Sequence, residues 1–419
     1  MCMNKFVVTL LLAWQPWLVS AGELEVLHYW TSGGEAEALN VLKSMMKKQG
    51  HVWKDFVVVG GGGESANAEL RQRVVQGDPP TSAMIKGPDI QRWARLGFLQ
   101  DLDQLAQRQK WDDKLPSLIA EVTRFHGQYV STPVNIHRTN WMWINKKILD
   151  EVGAKVPTTW DEFEQTAKKI QAHGYAVVAH GDQAWQDATV FESIALAVGG
   201  PEFYRKAFVE NEYPVIKSDT MTKVFAQFRR VQPYFKTDLP SQDWNMATDA
   251  VIKGEAAFQF MGDWAKGEFE KAGLKAGRDF ICAAMPGTHN QFLYNVDTLA
   301  MFKLGNKADQ AAQQDLANAI MSQEFQEVFN LKKGSIPARM DVDLSKFDDC
   351  ARLSRKEFHI AEQNGALLPS IAHGMATTAR VQEEFYSALH DFLHSPEMND
   401  RKAMVILAKR MRYGSYAIN

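Results

Sequence analysis

Two carboxylates in this chain are hard to read as ordinary surface. Asp297 stands in an apolar stretch beside Val296 and Leu299, and a buried acid requires a partner such as a hydroxyl or a lysine. Glu35 follows Thr31-Ser32-Gly33-Gly34 at the start of a helical pattern. There a first-turn acid answers the helix dipole, and a binding role is an equal reading. Glycoside hydrolysis needs two carboxylates flanking a bond, so the pair leaves a secreted glycoside-active enzyme open. Lys333, at the end of a helical stretch, suits a helix C-terminus. His373, between Ala372 and Gly374, has no packing task in the sequence, whereas His137-Arg138 reads as hinge structure.

Other chemistry is poorly supported. His390 and His394 are four residues apart on a helical pattern, a metal-ligand spacing. No third ligand lies nearby, so a solvated helix face is the stronger reading. There is no G-x-S-x-G turn and no H-E-x-x-H motif. The run Gly60 to Gly63 lacks the Gly-Lys-Ser/Thr ending and the G-x-G-x-x-G spacing, and reads as a turn rather than a phosphate cradle.

The elements that must position these residues are α/β. Residues 24–30 read as a strand, 35–48 as a helix, 56–59 as a second strand, and 82–86 as a third, with helices between; such units build a parallel sheet. Thr159 followed by Glu162 is a capping box for a helix to about residue 172. Residues 170–253 read as mostly helical, with a strand near 176–179. The stretch 254–264 is the sharpest signal. Its apolar run, 256–261, reads as a buried strand; Gly262-Asp263 breaks it, with Asp263 placed to cap a helix beginning at Trp264. A large ring at the end of a strand lies where open α/β sheets bind ligands. Further breaks fall near Pro133, Pro286 and Pro337.

At 419 residues the chain is too long for one ordinary core, so two domains are expected. The net charge of -3 and the absence of a basic run remove the electrostatic footprint of nucleic-acid binding. Lys5, the apolar segment 6–19 and Val19-Ser20-Ala21 form an export signal cleaved after about Ala21, too short to span a bilayer. The expected location is the periplasm. Cys282 and Cys350 are then the only cysteines left. An oxidising compartment allows one disulfide between them, and two buried thiols are the equal alternative.

The stretch 254–264, the segment from Pro133 through Trp143-Ile144-Asn145 to Trp160-Asp161-Glu162-Phe163, and the motifs Tyr29-Trp30-Thr31-Ser32-Gly33-Gly34-Glu35, Lys333-Gly334-Ser335-Ile336 and His373-Gly374 resemble the periplasmic sugar-binding proteins of ABC importers. The likeness is greatest to their glucose/mannose-binding branch. It implies a type II periplasmic binding protein fold: two lobes, each a sheet flanked by helices, joined by a multi-segment hinge. The lobes would be residues 22–132 with 288–335, and 133–287 with 336–419. It implies a receptor, not an enzyme, that closes on a monosaccharide (glucose or mannose, with an oligosaccharide or polyol as the alternative) and delivers it to the membrane permease subunits. A monomer without cofactor or metal is implied. Carried over by position, Tyr29, Trp30, Trp244 and Trp264 would stack on the sugar faces. Glu35, Asn295 and Asp297 would meet its hydroxyls, and Lys86, Lys333 and His373 would donate to them. Tyr29 stands where the family often has a second tryptophan, and offers a smaller ring.

Overall fold

A computed structural model describes residues 21–59, 64–181, 183–239 and 243–416. The apolar leader and the Gly60–Gly63 run lie outside the described residues. Among the described residues no helix is long and apolar enough to cross a membrane.

The first sheet runs, edge to edge, Val52–Val57, Glu23–His28, Ser82–Met84, Thr298–Met301 and Ser131–Pro133. Its first three strands are parallel, and Thr298–Met301 enters antiparallel to both neighbours. The helix Gly33–Lys48 starts at Ser32, whose side chain and that of Glu35 form a capping box. It packs Ala38, Leu39, Leu42 and Met46 against the sheet, the i, i+4, i+8 spacing that puts one stripe inward. The second strand lies at 52–57 rather than 56–59. Parallel pairing with Glu23–His28 sets that register, which overrides the apolar run further along.

The second sheet runs Phe235–Lys236, Ala176–Ala179, Ala256–Phe260, Trp141–Asn145 and Phe280–Ala284. Ala256–Phe260 is buried along its whole length, as a central strand covered on both faces must be. The Thr159/Glu162 capping box forms and starts the helix Trp160–Ala172. Each sheet has its own hydrophobic cluster, so the chain has two lobes.

A third sheet, of three short strands, joins them: Leu367–Pro369, Phe292–Asn295 and His137–Arg138. Each strand is a separate passage of the chain between lobes. The third passage differs from expectation. Pro337 only turns the chain; Ile336, Ala338, Phe347, Phe358 and Ala361 all pack into the first lobe's cluster, and the crossing comes at 367–369. The segment 336–366 therefore packs mainly on the first lobe's core, with Cys350 and Leu353 reaching the second's. Cys282 and Cys350 are joined in a disulfide, tying the second lobe's edge strand to the helix Asp349–Gln363 of that segment.

Candidate functional site

The residues at strand ends decide what the lobes hold between them. Tyr29 and Trp30 follow Glu23–His28, and Lys86 follows Ser82–Met84. Asn295 ends the strand Phe292–Asn295, and Asp297 lies in the turn between it and Thr298–Met301. From the other lobe, Trp264 follows Ala256–Phe260 and Trp244 opens the helix Trp244–Ile252. These ends converge, as open α/β sheets direct them to. Tyr29, Trp30, Glu35, Lys86, Trp244, Trp264, Asn295, Asp297, Lys333 and His373, the ten residues expected at a sugar site, all line one cavity. With the lobes as close as they are, the space left inside it is about 30 Å³, well below the usual range for ligand pockets. His137 and Trp185 complete the lining.

Local chemistry explains how Trp264 is presented. Trp143 Nε1 donates to the carbonyls of Met261 (2.9 Å) and Gly262 (3.2 Å), fixing the turn after the strand. A Cβ on Gly262 would stand 2.2 Å from the Trp264 ring, so only glycine lets the indole fold back over the backbone. Asp263 does not cap the following helix; the cap position is Trp264, without a side-chain bond. The Asp263 carboxylate turns instead to the hinge, accepting from the Arg138 N–H at 3.0 Å and pairing with His137. A charged partner outcompetes an orphan amide for a carboxylate. Trp264 packs edge-on against His373 (5.0 Å between ring centres) and His137 (5.2 Å), with Trp185 at 6.3 Å.

The ionised groups are paired before any ligand arrives. Lys333 Nζ lies 2.7 Å from Glu35 Oε1, while Glu35 Oε2 accepts from the N–H groups of Thr31 and Ser32. Glu35 is thus both helix cap and cavity wall, and Lys333 is the last residue of its helix as well as a cavity cation. Asp297 is a hub: Lys86 Nζ lies 3.0 Å from its Oδ1, and His137 Nε2 and Asn135 Nδ2 donate to its Oδ2 at 3.1 and 3.2 Å. Burial pushes its carboxyl up, but Lys86 and His137 overcome that and hold it well below the usual range. Burial likewise opposes the charged forms of Lys86 and His137, and their carboxylate neighbours raise both. Burial pushes the Tyr29 phenol up to about 12. With Asp263, which stands behind the lining and pairs with His137, three cations (Lys86, Lys333, His137) meet three anions (Glu35, Asp297, Asp263), so the paired charges around the cavity balance.

His373 behaves differently from expectation. Burial, then Lys86 and His137, drive its pKa well below the ordinary value, so the ring is neutral. The Thr189 hydroxyl donates to the Trp185 carbonyl at 2.8 Å, which leaves its oxygen to accept from His373 Nε2–H at 3.0 Å. The tautomer assigned by this network leaves Nδ1 as an acceptor, so His373 is not positioned to donate into the cavity through Nε2. Asn295 Oδ1 is buried without a hydrogen-bond partner, a costly state unless something fills it. Lys86 and Lys333 each carry three N–H groups, more than their carboxylates use.

The lobes meet closely around this space. Gly334, at φ 88°, caps the helix Gln323–Lys333, and a Cβ there would lie 2.5 Å from the Asp263 carbonyl of the other lobe. The His390/His394 pair sits elsewhere, with rings 4.0 Å apart; among the described residues no group of three or more His, Cys, Asp or Glu could hold a metal.

Two sheets with their own cores, three passages between them and a cavity in the cleft define a two-lobed solute-binding protein. Residues 46–320 match the bacterial extracellular solute-binding protein family, and the chain belongs to that family. It is 44% identical over 366 residues to a "probable sugar-binding periplasmic protein" of Brucella suis biovar 1, covering 87% of this chain and 86% of that one. A protein of the same description from Rhizobium meliloti is 42% identical over 388 residues, covering 93% of each. Among solved structures, a chitin oligosaccharide binding protein superposes with a TM-score of 0.79 over 94% of this chain and 99% of its own, at 17% identity; that likeness is one of fold.

Proposed function

We propose that this protein is a periplasmic receptor that closes on one uncharged hexose, glucose or mannose first among candidates, and delivers it to the permease subunits of an ABC importer. The observation that carries the reading is a cleft whose paired charges balance and whose spare hydrogen-bonding groups lie between aromatic rings. A hexose has apolar C–H faces for the rings and a rim of hydroxyls for planar polar groups. Asn295 Oδ1 and His373 Nδ1 accept from that rim; Lys86 and Lys333 donate to it. A sugar acid or an amino sugar would bring a charge that these balanced pairs leave unanswered. The curated relatives' description as sugar-binding periplasmic proteins supports the class, and the disulfide suits an oxidising compartment.

The magnitudes require closure. Micromolar capture needs about -8 kcal/mol, roughly -0.7 kcal/mol for each of a hexose's dozen or so heavy atoms, which is demanding for a small ligand. Hydrogen bonds to charged groups net about 1.5–3 kcal/mol, and water must be excluded for them to do so. A glycosidase needs a protonated acid beside an ionised carboxylate; here Asp297 and Glu35 are each paired with a lysine, and Asp297 is held well below its usual range. We therefore read the protein as binding its sugar unchanged.

Isothermal titration of the mature protein tests this. Glucose or mannose should bind at micromolar concentration or below, with glucosamine and glucuronate at least tenfold weaker. Failure of every neutral sugar, or preference for a charged one, overturns the reading.

A further inference from the structure

Behind the cavity the two lobes meet along a seam of main chain. Gly34 stands next to Glu35, Gly334 next to Lys333, and Gly267 three residues after Trp264. None of the three glycines lines the cavity. Gly267 lies inside the helix Ala265–Lys271, which packs Ala265 and Phe269 into the second lobe's cluster. A helical backbone makes no demand for glycine, and alanine is the better helix former. Outside its own helix, the nearest atoms a Cβ on Gly267 would meet all belong to the first lobe. They are the Lys332 carbonyl at 2.8 Å, the Gly34 Cα at 3.6 Å and the Lys333 carbonyl at 3.7 Å. From the other side, a Cβ on Gly34 would stand 2.8 Å from the Gly267 carbonyl carbon. Gly334 meets the Asp263 carbonyl in the same way. The position is glycine because the other lobe's backbone occupies the space of a methyl.

Polar contacts cross the same seam. The helix Gly33–Lys48, like any helix, leaves its first N–H groups to be met from outside. Ser32 Oγ accepts from the Glu35 N–H, and Glu35 Oε2 from those of Thr31 and Ser32. The Gly34 N–H donates instead to Glu268 Oε1 of the second lobe, at 2.8 Å. A carboxylate there is favoured by the helix dipole as well as by the bond. Lys266, buried two residues before Glu268, reaches Asp348 at 3.0 Å. Asp348 caps the helix Asp349–Gln363, in the segment that packs mainly on the first lobe. One short helix, beginning directly after the Trp264 platform, thus sits on both first-lobe elements that carry Glu35 and Lys333.

We propose that the helix Ala265–Lys271 is the latch of the closed state, with Gly267 as its seat and Glu268 as its catch on the N-terminus of the helix Gly33–Lys48. Both are positioning residues: they touch no sugar, and they hold Trp264 against the ionised wall. The latch forms only as the lobes shut, so its free energy enters sugar affinity and not the stability of the open protein. Release has to break it, whereas first encounter does not involve it, so its weight falls on dissociation. This role rests on the sugar reading of the cavity and adds residues outside the cavity to it.

Calorimetric titration, stopped-flow tryptophan fluorescence and ligand-free melting test it on the mature wild-type protein and two variants. The probe is whichever of glucose, mannose and galactose binds the wild type most tightly. Gly267→Ala should weaken binding by roughly tenfold or more, while the ligand-free protein melts at the wild-type temperature or above it, because alanine favours the helix. Glu268→Ala should weaken binding by roughly three- to tenfold, with dissociation faster by the same factor and association within about twofold. If Gly267→Ala lowers the melting temperature, the glycine serves the second lobe's own packing. If either variant binds as the wild type does, or if the loss in Glu268→Ala falls on association, the seam is contact without a latch. Any of these results overturns the latch and leaves the sugar reading standing. If no neutral sugar binds the wild type, both fall.

Discussion

The two lobes contribute opposite chemistry to the cleft. The first supplies the ionised groups Glu35, Lys86, Asp297 and Lys333 on elements packed around its own sheet, together with Tyr29 and Trp30. The second supplies Trp185, Trp244 and Trp264 from its own cluster, with neutral His373. Charged side chains in the first lobe have partners in that lobe or in the hinge, so their geometry is set whether or not the second lobe is near. The tryptophans need no partner of that kind, but they exclude water only when brought across. One half therefore specifies, and the other supplies the dry surroundings in which specification has energetic weight. His137 stands between them, with one ring nitrogen on Asp297 of the first lobe and the other on Asp263 of the second.

Breaking the ionic half should cost most. Asp297→Ala leaves Lys86 and His137 buried without their shared counter-charge. Removing one partner of a buried ion pair destabilises by about 3–5 kcal/mol. The variant should melt well below the wild type, and sugar affinity should fall by roughly a thousandfold, a loss of about 4 kcal/mol. Wild-type affinity in a variant of unchanged fold would show that the hub is not part of the grip. Breaking the aromatic half should cost less. Trp264→Ala deletes one platform of three and should weaken hexose binding by about 3 kcal/mol, roughly a hundredfold. The residue is only 7% exposed, so melting should drop as well, while circular dichroism keeps the native spectrum. Equal losses for the two variants would end the claim that the lobes divide the work.

Much of this was legible in the sequence, and the exceptions have one cause. The capping box at Thr159/Glu162 and the first-turn acid Glu35 are local signals, and both are found where expected. Trp264 at a strand end and Asp297 in an apolar stretch were legible because a ring at a sheet rim and an acid without water each demand an explanation. The family resemblance assembled the remaining cavity residues from distant positions. What failed was decided by contacts made far along the chain. Asp263 has the spacing of a helix cap, but its partner His137 is 126 residues away. His137 does lie in the hinge, as expected; its place in the cavity wall was hidden because its second carboxylate, Asp297, is 160 residues away. Trp185 sits one residue into an unremarkable helix, Ala184–Tyr204, with no local sign that it faces a cleft. Pro337 is a true break in the chain, yet a break says nothing about which core the following residues join.

The smallest expected effect tests the bridge between the halves, and its sign can be worked out. Burial opposes a charge on His137, but Asp263 and Asp297 prevail and raise its pKa above the ordinary 6.5. A group whose folded value is raised contributes stability that is fully present below the unfolded value and is lost as pH rises through the folded one. His373 runs the other way. Burial, with Lys86 and His137 facing it and Asp297 pulling weakly against them, lowers its pKa well below 6.5. Stability is then lost as pH falls below 6.5, where the unfolded imidazole takes a proton that the native ring refuses. Glu192, pushed up to about 7 by burial from an ordinary 4.5, adds a loss between those values as pH rises, common to every variant. Differences between variants therefore carry the information. Melting temperatures from pH 5 to 9 should show His137→Gln without the wild type's alkaline decline and His373→Gln without the acid one. If removing His137 leaves the alkaline limb unchanged, the imidazolium does not bridge the lobes, and the two halves are held together by the ligand and the hinge alone.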